Sequence, residues 1–363
     1  MTGPVMILAG GTGGHVFPAL AVAHKLRASG VPVIWVGTET GIEYRVVPQS
    51  GFKLVTMNIQ GLRGKGLLHL LKAPFIILAA LREAFIILRR YRPSVLLGMG
   101  GFVTGPCGLM AVLMRKPLIL HEQNAIMGLT NRILAPVCNK IFAGFAYSSN
   151  NIETCGNPVR HELLTIEQPK QRFANKNYSS KHFLIIGGSQ GAKALNTVVP
   201  LAMQQLSEKY PIEVVHQTGK QDYECVKKIY ESVDADTRVE EFIEDMQAAY
   251  AWADLVICRS GAMTLAEIAS IGLGAVLVPY PHAVDDHQTA NAQQFVDCGA
   301  AYLIPEQQLN QSSLATICEQ IITDNEFLVM ADKAKALASI DAAQRVADEC
   351  MLLGRIDQFQ EVR

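Results

Sequence analysis

Paired cysteines are missing from this chain. The eight it has, at positions 107, 138, 155, 225, 258, 298, 318 and 350, form no C-x-x-C pair and stand beside no histidine cluster. That speaks against a disulfide framework or a zinc site and for a reducing cytosol. Low-complexity tracts are absent too, and 363 residues with 49% hydrophobic content suffice for two domains with separate cores. Strand-like sequence begins within four residues of Met1, so no secretory leader is expected. The apolar stretch over residues 75–88 is 14 residues long and contains Arg82 and Glu83. As a helix it measures about 21 Å against a bilayer core of ~30 Å and does not span. Residues 1–160 contain no aspartate: 16 Lys and Arg face five Glu there, a net of +11, whereas the remainder has 16 against 28, a net of −12. Either two solvated surfaces of opposite sign attract one another, or the N-terminal half meets a polyanion such as a membrane leaflet, a phosphorylated substrate or nucleic acid.

What the chain does have is glycine in two telling places. Val5-Met6-Ile7-Leu8-Ala9 runs into Gly10-Gly11-Thr12-Gly13-Gly14-His15 and a helix-like stretch to residue 28. Phe183-Leu184-Ile185-Ile186 runs into Gly187-Gly188-Ser189-Gln190-Gly191-Ala192 and another such stretch to about residue 206. Glycine lets the backbone approach a phosphate and adopt positive φ, while the following helix aims unpaired amides and its positive dipole end at the same spot. Each half is therefore suited to hold an anion.

Short apolar runs at 5–9, 33–37, 53–57, 95–98, 118–121 and 141–143, then at 183–187, 213–216, 238–242, 255–258, 275–278 and 301–304, alternate with helix-like segments. The alternation predicts an α/β chain of two doubly wound, Rossmann-like domains with parallel sheets, facing one another across a cleft. Ligands in such sheets lie beyond the carboxyl ends of the strands, where both glycine turns fall. The Gly156-Asn157-Pro158 turn marks the boundary, giving domains over 1–160 and 161–340. Residues 341–363 read as a last helix free to pack on either.

The segment 72–92 has two readings. It is a core helix of the first domain, or it lays Phe and Ile side chains into a membrane interface while Lys72, Arg89, Arg90 and Arg92 meet anionic lipid.

In the second half, Ser260-Gly261-Ala262-Met263-Thr264-Leu265-Ala266-Glu267 reads as a helix start with Ser260 as its N-cap, offering free amides and the Thr264 hydroxyl to a diphosphate. Glu267, two turns in, suits a ribose diol, although for a lone glutamate a solvated helix face is the plainer reading. Gln288 and Asn291, three apart, share one helix face and supply donor-acceptor pairs for sugar hydroxyls. A nicotinamide or flavin site would want an acidic residue after the second strand. Glu39 fits that place in the first half, but His216-Gln217-Thr218-Gly219 does not in the second, and neither glycine turn has G-x-G-x-x-G spacing.

Six motifs then carry a specific resemblance: Gly10 through Pro18, Gly98-Met99-Gly100-Gly101-Phe102, His121-Glu122-Gln123-Asn124, Gly156-Asn157-Pro158-Val159-Arg160, Gly187 through Ala192, and Arg259 through Glu267. In order and spacing, over nearly the whole chain, they resemble the MurG family of bacterial peptidoglycan glycosyltransferases. The resemblance implies the two-domain GT-B architecture and transfer of N-acetylglucosamine, with inversion, from UDP-N-acetylglucosamine to the C4 hydroxyl of undecaprenyl-diphosphate-linked N-acetylmuramoyl pentapeptide. That is the lipid I to lipid II step of cell-wall synthesis. It implies a peripheral enzyme at the cytoplasmic face of the inner membrane, against an anionic surface, with no metal or other cofactor, no nucleic acid, and cell-wall synthesis proteins as possible further partners. The acceptor and membrane belong to the first domain, to which residues 341–363 return, and the donor to the second.

Residue by residue, the resemblance implies that Thr12, Gly13 and Gly14 border the donor and that Asn124 touches its sugar. Arg160 and the backbone at Ile243 read the uracil. Ser189 with Ala262, Met263, Thr264, Leu265, Ala266 and Glu267 holds the diphosphate and ribose, and Gln288 with Asn291 holds the sugar hydroxyls. His15 is expected as the base that takes the C4 hydroxyl proton, its alternative being a histidine that merely fixes the loop; Glu122 is the reserve. Asp234-Ala235-Asp236 looks like the D-x-D metal motif of another glycosyltransferase class but lies in a polar stretch and reads as surface. Two other functions stay open at this point: a UDP-N-acetylglucosamine 2-epimerase on the same architecture, and a noncatalytic nucleotide-sugar-binding membrane adaptor.

Overall fold

The computed structural model describes residues 3–59, 67–147, 149, 151–176, 179–188 and 191–356, with the backbone alone at 67–73 and 284. Met1–Arg160 and Ser339–Arg363 form one compact unit and His161–Ala338 the other. The first unit runs β1 (Val5–Ala9), α1 (Gly13–Ala28), β2 (Val33–Gly37), α2 (Glu43–Gln49), β3 (Lys53–Thr56), α3 (Leu67–Tyr91) and β4 (Val95–Gly100). It continues through α4 (Thr104–Leu113), β5 (Leu118–Glu122), α5 (Leu129–Leu134), β6 (Lys140–Ala143) and β7 (Ile152–Thr154).

The second unit runs α6 (Pro169–Ala174), β8 (Lys181–Ile186), α7 (Lys193–Ser207), β9 (Ile212–Gln217), α8 (Tyr223–Tyr230), β10 (Asp236–Glu240), α9 (Met246–Trp252) and β11 (Leu255–Cys258). It ends with α10 (Ala262–Ile271), β12 (Gly274–Leu277), α11 (His287–Asp297), β13 (Ala301–Leu303), α12 (Gln311–Thr323) and α13 (Phe327–Ala336). The last helix, α14 (Ala342–Gly354), rejoins the first unit and packs on α1.

Both sheets are parallel and wind outward from their first strand. The orders are β3-β2-β1-β4-β5-β6-β7 and β10-β9-β8-β11-β12-β13. The chain reverses direction across each sheet between β1 and β4 and between β8 and β11, and those switch points are where doubly wound sheets take ligands. The two doubly wound α/β domains with parallel sheets expected from the alternation of apolar runs are borne out. The strand β7 was not anticipated, since Ile152-Glu153-Thr154 is three residues long and only partly covered. Helix α1 begins inside the glycine turn, at Gly13 rather than Val16, which puts His15 in its first turn.

Every residue of β1 is buried, as a central parallel strand covered on both faces must be. On one face of the first sheet, Val16, Ala19, Ala23 and Leu26 of α1 meet Ala343, Val346, Ala347 and Cys350 of α14. On the other, Ala84, Ile87 and Leu88 of α3 pack with Val103, with Cys107 and Ala111 of α4, and with Leu134 of α5. So α3 does serve the core, through one stripe. Other large side chains of α3 point outward, with Phe75 76%, Leu78 65% and Phe85 42% exposed beside the exposed Arg82, Arg89 and Arg90. Among the described residues no helix is long and apolar enough to cross a membrane.

Candidate active site

At the first switch point the turn after β1 and the turn after β4 lie against one another. Gly100 has φ +112°, and a Cβ there would stand 2.4 Å from Cδ2 of the His15 ring, so only glycine fits. Thr104 tethers this second turn by donating to the carbonyls of Leu8 (3.2 Å) and Gly100 (3.0 Å). His15 Nδ1 lies 3.3 Å from the Gly10 carbonyl, and because a carbonyl only accepts, the contact requires the Nδ1–H tautomer. Burial pulls the imidazole pKa below its ordinary 6.5, against opposing contributions from the Gly10 carbonyl and then from the charges of Glu122 and Glu43. His15 is thus neutral at pH 7 with Nε2 as its lone-pair nitrogen, the state that a general base needs.

The turn after β5 is the most heavily bonded part of this end. Glu122 Oε1 accepts from the Asn124 backbone N–H (3.1 Å) and side-chain amide (3.3 Å), and Oε2 from Gly128 N–H (3.0 Å) and Asn131 Nδ2 (2.9 Å). A buried carboxylate with four donors already on it is a scaffold for residues 123–128, which removes Glu122 as the reserve base. It holds Asn124, whose carbonyl also accepts from Tyr147 OH (2.7 Å), at the loop's start. His121 behind it is buried, bonded through Nε2 to the Gly156 carbonyl, and desolvated to a pKa of about 4. Arg160, at the end of this unit, lies over the Phe17 ring at 5.9 Å.

At the second switch point Gly191, with φ +77°, sits over Thr218, whose carbonyl oxygen would be 1.9 Å from a Cβ there. Ser189 and Gln190 lie outside the described residues, so the expectation on Ser189 is neither met nor missed. Beneath the turn is Gln217, which sequence reading passed over. Its Nε2 donates to the Gly188 carbonyl (2.9 Å) and its Oε1 accepts from Ile243 N–H (2.9 Å), so one buried amide ties the glycine turn to the Ile243 segment. The Ile243 N–H is thereby taken within the protein. Asn196 anchors the Thr218 carbonyl (2.9 Å) and receives His216 Nε2 (3.1 Å), while His216 Nδ1 meets Tyr230 OH (3.0 Å). Desolvation lowers the His216 pKa to about 3, so its ring is neutral in this chain of hydrogen bonds, which Asn196 continues by donating to the Asp222 carboxylate (2.8 Å).

Helix α10 leaves the end of β11 as expected, with one correction. Its N-cap is Gly261, not Ser260, and no side chain caps it, because Ser260 is drawn wholly into the interior. Among the described residues, the first amides of α10 therefore have no side-chain acceptor. Thr264, Ala266 and Met263 are partly exposed on this helix, whereas Leu265 is fully buried and Ala262 nearly so, leaving those two only main-chain groups to offer. Glu267, partly exposed, is oriented by Tyr250 OH at 3.0 Å. Arg259 clamps the loop after β12 by donating to the carbonyls of Val278 and Pro279 (both 3.1 Å) and pairing with Glu306. Gln288 receives Tyr280 N–H (2.9 Å) and remains partly exposed in the first turn of α11. Asn291 is buried beneath it and donates to the Ser260 carbonyl (3.2 Å). Asp234 and Asp236 are exposed at the start of β10. Glu39 lies at the far end of β2, where it accepts from Thr56 Oγ1 (3.2 Å).

Two doubly wound domains, one with a neutral histidine between its two glycine turns and the other with a helix end that no described side chain caps and a glutamate two turns along, are the architecture of a two-domain glycosyltransferase. The chain belongs to glycosyltransferase family 28: the family's N-terminal domain matches residues 5–143 and its C-terminal domain residues 182–346. Within it, the chain is 48% identical, over 96% of its own length and 98% of the other, to the UDP-N-acetylglucosamine--N-acetylmuramyl-(pentapeptide) pyrophosphoryl-undecaprenol N-acetylglucosamine transferase of Nitrosococcus oceani. It is 46% identical to the enzyme of the same name from Dechloromonas aromatica, over 96% and 99%. The crystal structure of Acinetobacter baumannii MurG superposes with a TM-score of 0.84 at 38% identity, covering 96% of this chain and 99% of that one.

Proposed function

We propose that the chain is the transferase its relatives are named for, moving N-acetylglucosamine from UDP-N-acetylglucosamine to the C4 hydroxyl of undecaprenyl-diphosphate-linked N-acetylmuramoyl pentapeptide. The observation that carries this reading is kinship along almost the entire length of both chains, at 48% identity, with transferases of that name. An epimerase or a noncatalytic adaptor would leave that kinship unexplained.

The second domain takes the donor. Main-chain amides at the start of α10, together with the Thr264 hydroxyl and Ser189, meet the diphosphate, and Glu267 accepts from the ribose diol. The Ile243 carbonyl and Arg160 read the uracil edge. Gln288 meets the sugar, and Asn291 steadies the Ser260 turn under it. Thr12, Gly13, Gly14 and Asn124 border the donor sugar from the first domain. His15 Nε2 removes the C4 hydroxyl proton as that oxygen attacks the anomeric carbon from the face opposite UDP, turning an α donor into a β1,4 product. Charge developing on the departing UDP falls on the α10 amides, which need no reorganisation to receive it.

The exposed stripe of α3 supports a peripheral place on an anionic membrane. Burying a side chain such as Phe75 or Leu78 is worth about 1.5–3 kcal/mol, and the fold leaves both in water. Leu109 and Leu113 of α4 and Leu129 and Ile133 of α5 are exposed on helices packed in succession beside α3, so the apolar surface is wider than one helix. The test of the function is transfer of radiolabelled sugar from UDP-N-acetylglucosamine to a short-chain analogue of the lipid acceptor. Disaccharide must form only when both substrates are present; epimerised nucleotide sugar accumulating without acceptor would reverse the reading.

A further inference from the structure

The structure assigns Glu43 a part in the reaction: it is a positioning residue that fixes the tautomer of His15 through the peptide group joining Gly10 to Gly11. In sequence Glu43 is an unremarkable first residue of α2. In the fold it is fully buried, in a space kept open by Gly10, Gly37 and Gly41, where added Cβ atoms would fall 2.5, 2.6 and 2.0 Å from its side chain. Oε1 accepts from Thr38 N–H (2.8 Å) and Thr38 Oγ1 (2.7 Å), and Oε2 from Gly11 N–H (2.9 Å). The donors are two main-chain amides and a hydroxyl, none of them a cation.

The Gly11 N–H and the Gly10 carbonyl are the two ends of one amide. Its N–H gives to Glu43, and its carbonyl receives His15 Nδ1 at 3.3 Å. A carboxylate on the N–H end polarises the amide and makes its carbonyl the stronger acceptor. The proton is thereby kept on Nδ1 and the lone pair on Nε2, and the anion behind the amide favours the imidazolium formed when Nε2 takes the substrate proton. This is the carboxylate-to-histidine arrangement of hydrolytic triads with a peptide inserted between the partners. The charges acting on His15 are Glu122 at the end of β5 and Glu43, with Glu122 the larger contributor. The turn after β4, residues 100–104, brings no titratable group, and α1 has none between His15 and His24.

The inference rests on His15 being the base, so its test has a readout apart from activity. Nitrogen NMR of the 15N-histidine-labelled protein at pH 7 should show His15 protonated at Nδ1 and bare at Nε2. In Glu43→Gln, whose side chain has a single accepting oxygen for both the Thr38 and Gly11 donors, the tautomers should mix. There kcat should fall about ten- to a hundredfold, less than loss of the base itself, with the KM for UDP-N-acetylglucosamine unchanged and the acid limb of kcat/KM moved to lower pH. An Nε2–H tautomer in the unmodified protein would overturn the inference even if the variant failed to fold, and so would Glu43→Gln with the original tautomer and kcat. Undiminished turnover by His15→Ala, with the Nδ1–H tautomer seen in the unmodified protein, would instead overturn the base assignment, and with it the part of Glu43 in the reaction, while the hydrogen-bonded geometry stood.

Discussion

Behind the glycine turn of the first domain stands a carboxylate, Glu43, and behind that of the second stand carboxamides, Gln217 and Asn196. The two turns hold the same topological position, at the carboxyl end of the first strand of a doubly wound sheet. They differ in what they must tolerate. A turn that receives a diphosphate is weakened by an anion beneath it, since like charges in a partly desolvated site repel strongly. A turn that carries a base gains from one, because the base becomes a cation during the reaction. Neutral amides can tie the second turn to the Ile243 segment without adding charge, which is what Gln217 does. In the proposed reaction the two turns meet charges of opposite sign, and the side chain in direct contact with each differs accordingly, a carboxylate in the first and amides in the second, with Asp222 one hydrogen bond further back behind Asn196.

The largest expected effect removes the base. His15→Ala should lower kcat by ~10²–10⁴ while leaving the KM for UDP-N-acetylglucosamine nearly unchanged, as read in a steady-state transfer assay. Because a base must be unprotonated and burial lowers the His15 pKa, the unmodified enzyme should keep kcat/KM flat down to pH 6.5 and lose it only below. Next comes erasing the difference between the turns. Gln217→Glu puts a carboxylate beside the Gly188 carbonyl it now donates to, and calorimetric affinity for UDP should drop on the order of a hundredfold. Glu267→Ala should weaken the same affinity roughly tenfold or somewhat more, the worth of one charged hydrogen-bond acceptor, with kcat less affected. Smallest in catalysis is the membrane face: serine at both Phe75 and Leu78 should reduce sedimentation with anionic vesicles by about tenfold or more and leave transfer to a soluble short-chain acceptor at its original rate.

Much of the fold could be read from sequence because parallel strands buried on both faces are continuous apolar runs, and twelve of these were recognisable; β7, short and polar, was not. The glycine turns were legible for a similar reason, since runs such as residues 10–14 and 98–101 have few structural uses. The braces behind them were hidden. Glu43 reaches Gly11 across 32 residues and Gln217 reaches Ile243 across 26, and the residue type alone does not mark a glutamate at a helix start or a glutamine at a strand end as buried. Flanking glycines at 37 and 41 were the available signal for Glu43. Ser260 misled because serine before a helix usually caps it, whereas here packing drew it inward and left Gly261 at the cap. Asn291 does share the Gln288 side of α11, but one step deeper, buried where Gln288 stays partly exposed, a difference that spacing alone does not show.

The most direct measurement is a crystal structure of the protein with UDP bound. The account predicts the diphosphate against the first amides of α10, with both ribose hydroxyls within hydrogen-bond distance of Glu267. A nucleotide seated instead on the residue 10–14 turn, with Glu267 still bonded to Tyr250 and out of reach of the ribose, would contradict it.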